Sequence, residues 1–395
     1  MKRFVYADNA ATTAVSREVI DAMMPIFESQ WGNPSSQHSM GIEAKDILDD
    51  ARERIANVLG CTAGEIYFTS GGTESDNWAI RGAAMRMKKK GRTQIITSKI
   101  EHHAVLHTCE ALEKEGFKVD YVGVDSDGVV DLDELRSLVS EETAVVAIMY
   151  ANNEIGTIEP IDEIVEIAHA KGALVFTDAV QAVGNIEVDL SKTKVDMLAL
   201  SGHKLHAPKG IGLLFVRRGV VINNLIEGGG QEKRKRGGTE NLPYIVGLAK
   251  ALEEAKKNLQ YMPSVRAKRD RLIEELTKIP YSSLNGHRTN RLPGLVNVGF
   301  EFIEGESMLM WLDMAGICAS TGSACSSASL DASHVLLAIG VPHEKAHGSL
   351  RLSITKDTTD EDIDYIIENV APIVERLRNM SPLWEEVVKA EMAQK

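Results

Sequence analysis

The sequence predicts an α/β fold: a mainly parallel, wound sheet in a large domain, joined to a smaller α+β domain. Three observations lead there. From about residue 65 to 216, short apolar runs alternate with amphipathic helical stretches. The runs are rich in Val, Ile and Leu without strict alternation, so they read as strands buried on both faces. Later in the chain that alternation stops and long charged helices take over.

The expected strands are Ile66–Thr69, Gln94–Thr97, Val119–Val124, Ala144–Tyr150, Ala173–Asp178, Val195–Ser201 and Gly212–Val216. Between them the spacing predicts helices over Val105–Glu115, Leu132–Val139 and Ile161–Lys171. Gly116 and Gly172 follow two of these as left-handed stops. Leu252–Gln260 and Val265–Ile279 read as charged helices. A strand at Leu295–Phe300, a helix, a Ser/Gly-rich loop at 320–329, a strand at Leu350–Ile354 and a helix from about Thr359 follow. A boundary near residue 257 makes 15–257 the large domain. Residues 1–14 and 258–395 make the small one.

The chain has 395 residues, 44% apolar and 26% charged, an ordinary globular balance for two domains. Lys plus Arg is 44 and Asp plus Glu is 57, a net charge of −13 that argues against a broad nucleic-acid surface. No apolar run approaches the roughly 20 residues of a membrane helix. Met1–Asp8 lacks the apolar stretch of a secretory signal. The four cysteines, 61, 109, 318 and 325, are too few for a disulfide scaffold and show no CxxC spacing for a zinc ribbon or thioredoxin motif, so a cytoplasmic, thiol-reduced protein is expected.

Polar residues gather at the carboxyl ends of the apolar runs, where open α/β sheets bind ligands. They are Ser70-Gly71-Gly72-Thr73, Glu101-His102-His103, Asn152-Asn153-Glu154, Asp178 with Gln181, and Ser201-Gly202-His203-Lys204. The Gly-Gly-Thr entry to a helix exposes backbone N–H groups that suit a phosphate, although a plain N-cap reads the same way. Asp178 ends a strongly apolar strand and there needs a cation or several donors; a capping Asp is the simpler reading. Lys204 follows a buried strand and could be desolvated enough for a Schiff base; a surface loop lysine is the alternative. Together, an anion nest, an acid and an amine match what pyridoxal phosphate requires.

At this point the sequence resembles the cysteine desulfurases of the NifS/IscS type, fold-type I pyridoxal phosphate enzymes of the class-V aminotransferase family. The match runs nearly end to end through Tyr6–Thr13, Gly32–Ser36, Phe68–Ser75, Glu101–Val105, Asn152–Gly156, Asp178–Gln181, Ser201–Lys204, Arg236–Asn241, Ser323–Cys325 and Arg351–Ser353. The resemblance implies that Lys204 holds pyridoxal 5'-phosphate as a Schiff base and shuttles protons. Asp178 would pair with the pyridinium nitrogen and Gln181 with the ring hydroxyl. His102 would stack on the ring and be available for acid–base work. Thr73, with the Gly72–Thr73 backbone, Ser201 and His203 would bind the phosphate. Thr239 would reach the phosphate of the neighbouring subunit of a homodimer. Asn152 and Arg351 would hold the substrate carboxylate.

Cys325 lies among small polar residues, Ser320–Ser329, so a mobile, exposed loop is expected. The residues alone leave a reactive and an inert thiol equally open. The resemblance makes it the nucleophile that takes sulfur from L-cysteine as a persulfide, leaving L-alanine. The sulfur would pass to an iron–sulfur scaffold or another acceptor protein. A selenocysteine lyase or cysteine sulfinate desulfinase on the same site is the alternative. Leu205-His206-Ala207-Pro208 departs from the aromatic and glycine common after the lysine motif, and His103 has no role to carry over.

Other signals compete weakly. His343–His347 fits HExxH, but Gly348 leaves too little helix to align two zinc ligands. Ser201–Lys204 and Ser75–Asn77 mimic SxxK and SDN in the wrong order and without KTG. His102, His103 and His107 read as one ring contact and two solvated histidines rather than a metal site. Lys233–Arg236 reads as a solvated loop or a contact for an acidic partner. Cys61, Cys109 and Cys318 read as structural, with Cys318 buried in a strand.

Overall fold

The structure, a computed structural model, describes residues 3–321, 332–385 and 387. The chain opens with β1 (Val5–Tyr6), α1 (Arg17–Glu28) and α2 (Ser39–Leu59). It continues through β2 (Ile66–Thr69), α3 (Gly72–Lys88), β3 (Gln94–Ser98), α4 (His103–Lys114), β4 (Lys118–Val122), α5 (Leu132–Leu138), β5 (Thr143–Ala147) and α6 (Ile161–His169). Then come β6 (Leu174–Asp178), β7 (Met197–Ser201), β8 (Gly212–Val216), the one-turn α7 (Gln231–Arg234), α8 (Leu242–Asn258) and α9 (Met262–Leu276). The last part holds β9 (Ser282–Leu284), β10 (Leu295–Phe300), α10 (Gly305–Ala315), β11 (Ile317–Cys318), α11 (His334–Ala338), α12 (His343–Ala346), β12 (Ser349–Ser353) and α13 (Asp360–Arg378).

The seven expected strands form one sheet in the order β2-β8-β7-β6-β5-β3-β4. It is parallel except at β8, which runs antiparallel to both β7 and β2. Both faces are covered, which explains the lack of polar alternation. Ile96, Val146, Val175, Leu198 and Leu213 face a core shared with α1, α2 and α8. Their neighbours Ile95, Val145, Phe176, Met197 and Leu214 face a second core with α3 and α4.

A third core gathers Val5, Ala7, Val298, Leu350, Ile366 and Val370. It surrounds the antiparallel sheet β12-β10-β9 and the parallel pair β1-β11. α13 starts where its sequence says it should. Thr359 and Asp362 satisfy each other's backbone N–H groups in a capping box.

The reading of the sequence starts the first charged helix ten residues late. α8 begins at Leu242, behind the Asn241 cap and with Pro243 in its first turn, and buries Leu242, Ile245, Leu248 and Leu252. Cys318 lies in a strand as expected, but is partly exposed rather than buried. Among the described residues no helix is long and apolar enough to cross a membrane.

Candidate active site

The winding reverses where β3 lies between β4 and β5, and the polar tips cluster along that carboxyl edge. β2 and β7 both end beside the start of β8, since Thr69 and Ser201 each pair with Gly212. A Cβ on Gly212 would meet the Leu200 carbonyl at 2.6 Å and the Gly71 Cα at 2.7 Å, so the two tips can close only around glycine. One on Gly72 would meet Val180 Cγ2 at 2.9 Å. The positive end of α3 therefore packs directly against the Asp178–Gln181 turn and Ser201.

Residues 8–13 cross this edge as a strap. Thr13 N–H donates to the His203 carbonyl at 2.9 Å, and His203 Nδ1 meets Thr12 Oγ1 at 3.1 Å. Lys204 Nζ donates to the Ala10 and Ala11 carbonyls at 2.5 and 2.7 Å. Gln181 Nε2 donates to the same Ala10 carbonyl at 3.0 Å. Lys204 and Gln181 also line a cleft of about 170 Å³ beside α8 and α9, which Asp178, His102 and Thr73 do not line.

Asp178 accepts the Val180 N–H at 2.9 Å. Burial pushes its carboxyl up to about 6, against the pull of that hydrogen bond and of Lys204. Two more carboxyls lie nearby, each raised by burial and then by the charge of Asp178. Glu101 accepts from Ser98 Oγ and the Met149 N–H on one oxygen, while its Oε2 has no partner among the described residues. Asp76 Oδ1 has none either, and burial holds both carboxyls well above the usual range.

His102 caps α4, its Nδ1 accepting the Ala104 N–H at 3.1 Å. That assigns the ring proton to Nε2. Burial, then His103, Lys204 and His107, lower its pKa to about 4, so the ring is neutral at pH 7. His203 is lowered to about 4 by burial and by Lys204 and Lys209.

Arg351, on β12, is 2% exposed. Its guanidinium donates to the Asn153 carbonyl at 3.0 Å and to Asp8 at 3.1 Å, and its Nε–H has no partner among the described residues. A buried orphan donor on a fork is what an incoming carboxylate would satisfy. Asn152 is fully buried and committed to the backbone. Its oxygen accepts the Glu154 and Ile155 N–H groups, and its amide donates to the Ile100 carbonyl and, at 3.4 Å, to the Met149 sulfur. In this arrangement it orders the turn beneath Arg351, and the Nδ2–H that reaches the Met149 sulfur is the donor it can release most cheaply.

Thr239 is exposed, on the segment that follows α7. α7 is not a true helix, because Glu232, Lys233 and Arg234 have φ of 44°, 57° and 64°. Left-handed residues cost roughly 1–2 kcal/mol each. Glu232 is buried in a two-pronged pair with Arg52 at 2.7 and 2.9 Å. Breaking one side of a buried pair costs about 3–5 kcal/mol because the charge left behind is unpaired, so the turn that seats Glu232 cannot relax cheaply away from Arg52. Cys325 lies outside the described residues.

The aminotransferase class-V family model matches residues 5–366. A cysteine desulfurase IscS of Methanosarcina thermophila is 55% identical over 380 residues, 96% of this chain and 94% of that one. One of Dictyoglomus turgidum is 49% identical, covering 98% of each chain.

The chain belongs to the class-V aminotransferase family, among its cysteine desulfurases.

A solved NifS-like protein superposes on this cysteine desulfurase fold with a TM-score of 0.89 at 42% identity, over 95% of this chain and 100% of its own. SspA, solved in complex with cysteine, gives 0.79 at 35% identity, covering 90% and 99%.

The residues present fit the family's cofactor. Asp178 is buried without a full counter-charge, which suits a pyridinium nitrogen, and the glycine-lined end of α3 suits a phosphate. Sequence reasoning assigned no role to Asp8, Asp76 or Glu101. Asp76 could have been found, because it shares the stripe of Ala79, Ile80, Ala83 and Met87 that α3 buries. His343 and His347 sit on a single turn, and no group of three metal-capable side chains occurs among the described residues.

Proposed function

We propose that the chain converts L-cysteine to L-alanine with pyridoxal phosphate, passing the sulfur to Cys325 and then to an acceptor such as an iron–sulfur scaffold protein. The observation that carries this is Lys204 and Asp178 on the carboxyl tips of adjacent strands, under a strap that leads to Arg351 through Asp8. The identity to cysteine desulfurases over 96% of the chain supports it.

When bound, the cofactor supplies an aldehyde for the substrate amine and a ring that accepts the electron pair left at Cα. Lys204 anchors it and moves the Cα proton. Asp178 would pair with the ring nitrogen and Gln181 with the ring hydroxyl, and neutral His102 would cover the ring, with its proton on Nε2. Gly72, Thr73, Ser201 and His203 take the phosphate, with Thr239 from a neighbouring subunit. Arg351 holds the substrate carboxylate, with Asn152 beneath it. The Cys325 thiolate attacks the substrate sulfur; an S–S bond forms as the C–S bond breaks. The electron pair of that bond stays with carbon, and the thiol proton ends on Cβ, so no oxidant is consumed.

The reading extends to a homodimer, supported by the exposed Thr239, and to the cytoplasm, where four cysteines, too few for a disulfide scaffold, would stay thiols. It also divides the chain near residue 257, supported by the separate core that Val5, Val298 and Ile366 share.

The test is to incubate the purified protein with L-cysteine and dithiothreitol and to quantify alanine and sulfide beside a Cys325→Ala control. Equal yields, lost in the control, are expected. One product without the other, or activity in the control, overturns the proposal.

A further inference from the structure

Between β8 and α8 the chain makes a turn that its own residues disfavour. Glu232, Lys233 and Arg234 are left-handed, yet none is glycine, although Gly228–Gly230 stand just before them. Local sequence does not select this turn; tertiary contacts do. The Glu232 carboxylate is buried, grips both ends of Arg52, and accepts the Phe68 N–H at 2.9 Å. Arg52 also donates to the Ile66 carbonyl at 2.7 Å, so the pair is fixed along β2.

A second clasp follows. Arg236 forks onto Glu74 at 2.8 and 3.1 Å, and Glu74 accepts the Ser70 N–H at 2.8 Å. Gly237 passes Gly228 so closely that a Cβ on either would meet the other's Cα at 2.7–2.8 Å. The turn is thereby bound to the strand tip and helix start that build this subunit's own phosphate cradle, while Thr239 beyond it is exposed.

We propose that the Arg52–Glu232 and Glu74–Arg236 pairs are positioning residues that act across the dimer, holding the strained turn so that Thr239 is presented to the neighbouring subunit's phosphate site. This rests on the homodimer reading above. Its consequence is that loosening the turn weakens cofactor binding in the other subunit's site, not in the turn's own.

Two hybrid dimers, made by co-expressing two differently tagged chains, separate these. In the first, one chain carries Glu232→Gln and the other Lys204→Ala. The competent site then receives Thr239 from an intact turn. In the second, one chain carries both substitutions and the other is unaltered, so the competent site receives Thr239 from the loosened turn. Each hybrid is titrated with pyridoxal phosphate, and the cofactor fixed to Lys204 is counted after borohydride reduction. The first is expected to bind as tightly as the unaltered protein, the second about tenfold more weakly or worse. Equal affinities, or the weaker binding in the first hybrid, overturn the proposal. Light scattering that shows only monomers removes the homodimer reading and the proposal with it. If Glu232→Gln does not fold, Arg236→Gln replaces it in both arrangements, because it frees the turn from Glu74 while leaving the buried Arg52 pair and the Glu74 bond to the Ser70 N–H in place.

Discussion

At the scale of single residues, burial decides what each group can do. Asp178 is pushed up to about 6 by desolvation, from an ordinary 3.8. Between those values the folded protein holds a proton that the unfolded chain has lost. The group's contribution to stability is therefore fully present below 3.8 and lost as pH rises through 6. The pairing proposed for Asp178 with a pyridinium needs the ionised form, so cofactor binding would have to expel that proton below pH 6. Affinity for pyridoxal phosphate should then fall by up to about tenfold per unit as pH drops below 6. In Asp178→Asn that slope should vanish and affinity stay low at every pH; titration at pH 5 and 7 reads both. Arg351 is the other telling residue. Arg351→Lys keeps a charge but loses the fork, leaving either Asp8 or the Asn153 carbonyl unserved. KM for L-cysteine should rise about tenfold or more with a smaller fall in kcat, as initial rates would show.

At the scale of elements, the apolar runs gave the strands closely because the sheet is covered on both faces. Ile66–Thr69, Gly212–Val216 and Leu295–Phe300 appear with the expected bounds. α1 and α2 were not anticipated. α2 buries small Ala44, Ala51 and Ala56 among charged residues, which blurs its apolar stripe. How the elements meet sets the site. Gly212→Ala would press a methyl into the Leu200 carbonyl and the Gly71 Cα, both backbone, so the tips of β2 and β7 must part. Cofactor affinity should fall about tenfold or more together with a lower Tm, because the same close approach orders the proposed phosphate cradle.

At the scale of the whole molecule, buried titratable groups oppose one another. His102 and His203, lowered to about 4, add stability above pH 6.5 that is lost as pH falls toward 4. Glu154 and Glu159, raised by burial to about 7 and about 8, act in the other direction. Each keeps its proton in the fold after the unfolded chain has ionised, so stability drops as pH rises through those values. Above pH 6.5 only the carboxyls still titrate among these four. Tm should therefore decline between pH 6.5 and 8. Glu159→Gln should flatten that decline, because its Oε1 has no partner to lose and its Oε2 bond to the Val130 N–H can pass to the amide oxygen. Thermal melts of both proteins across that range check it.

The sequence by itself determined the strands, the polar tips that end them and the family motifs those tips carry. These are local facts: apolar runs mark covered strands, and motifs such as Ser201–Lys204 carry their meaning in consecutive residues. Tertiary structure alone decided which groups share a charge and which stand unpaired. Asp8 meets Arg351 across more than 340 positions of chain, and Glu232 meets Arg52 across 180. The left-handed turn at 232–234 and the neutral state of His102 follow from such contacts. No window of sequence contains them, because burial and long-range pairing set their energies.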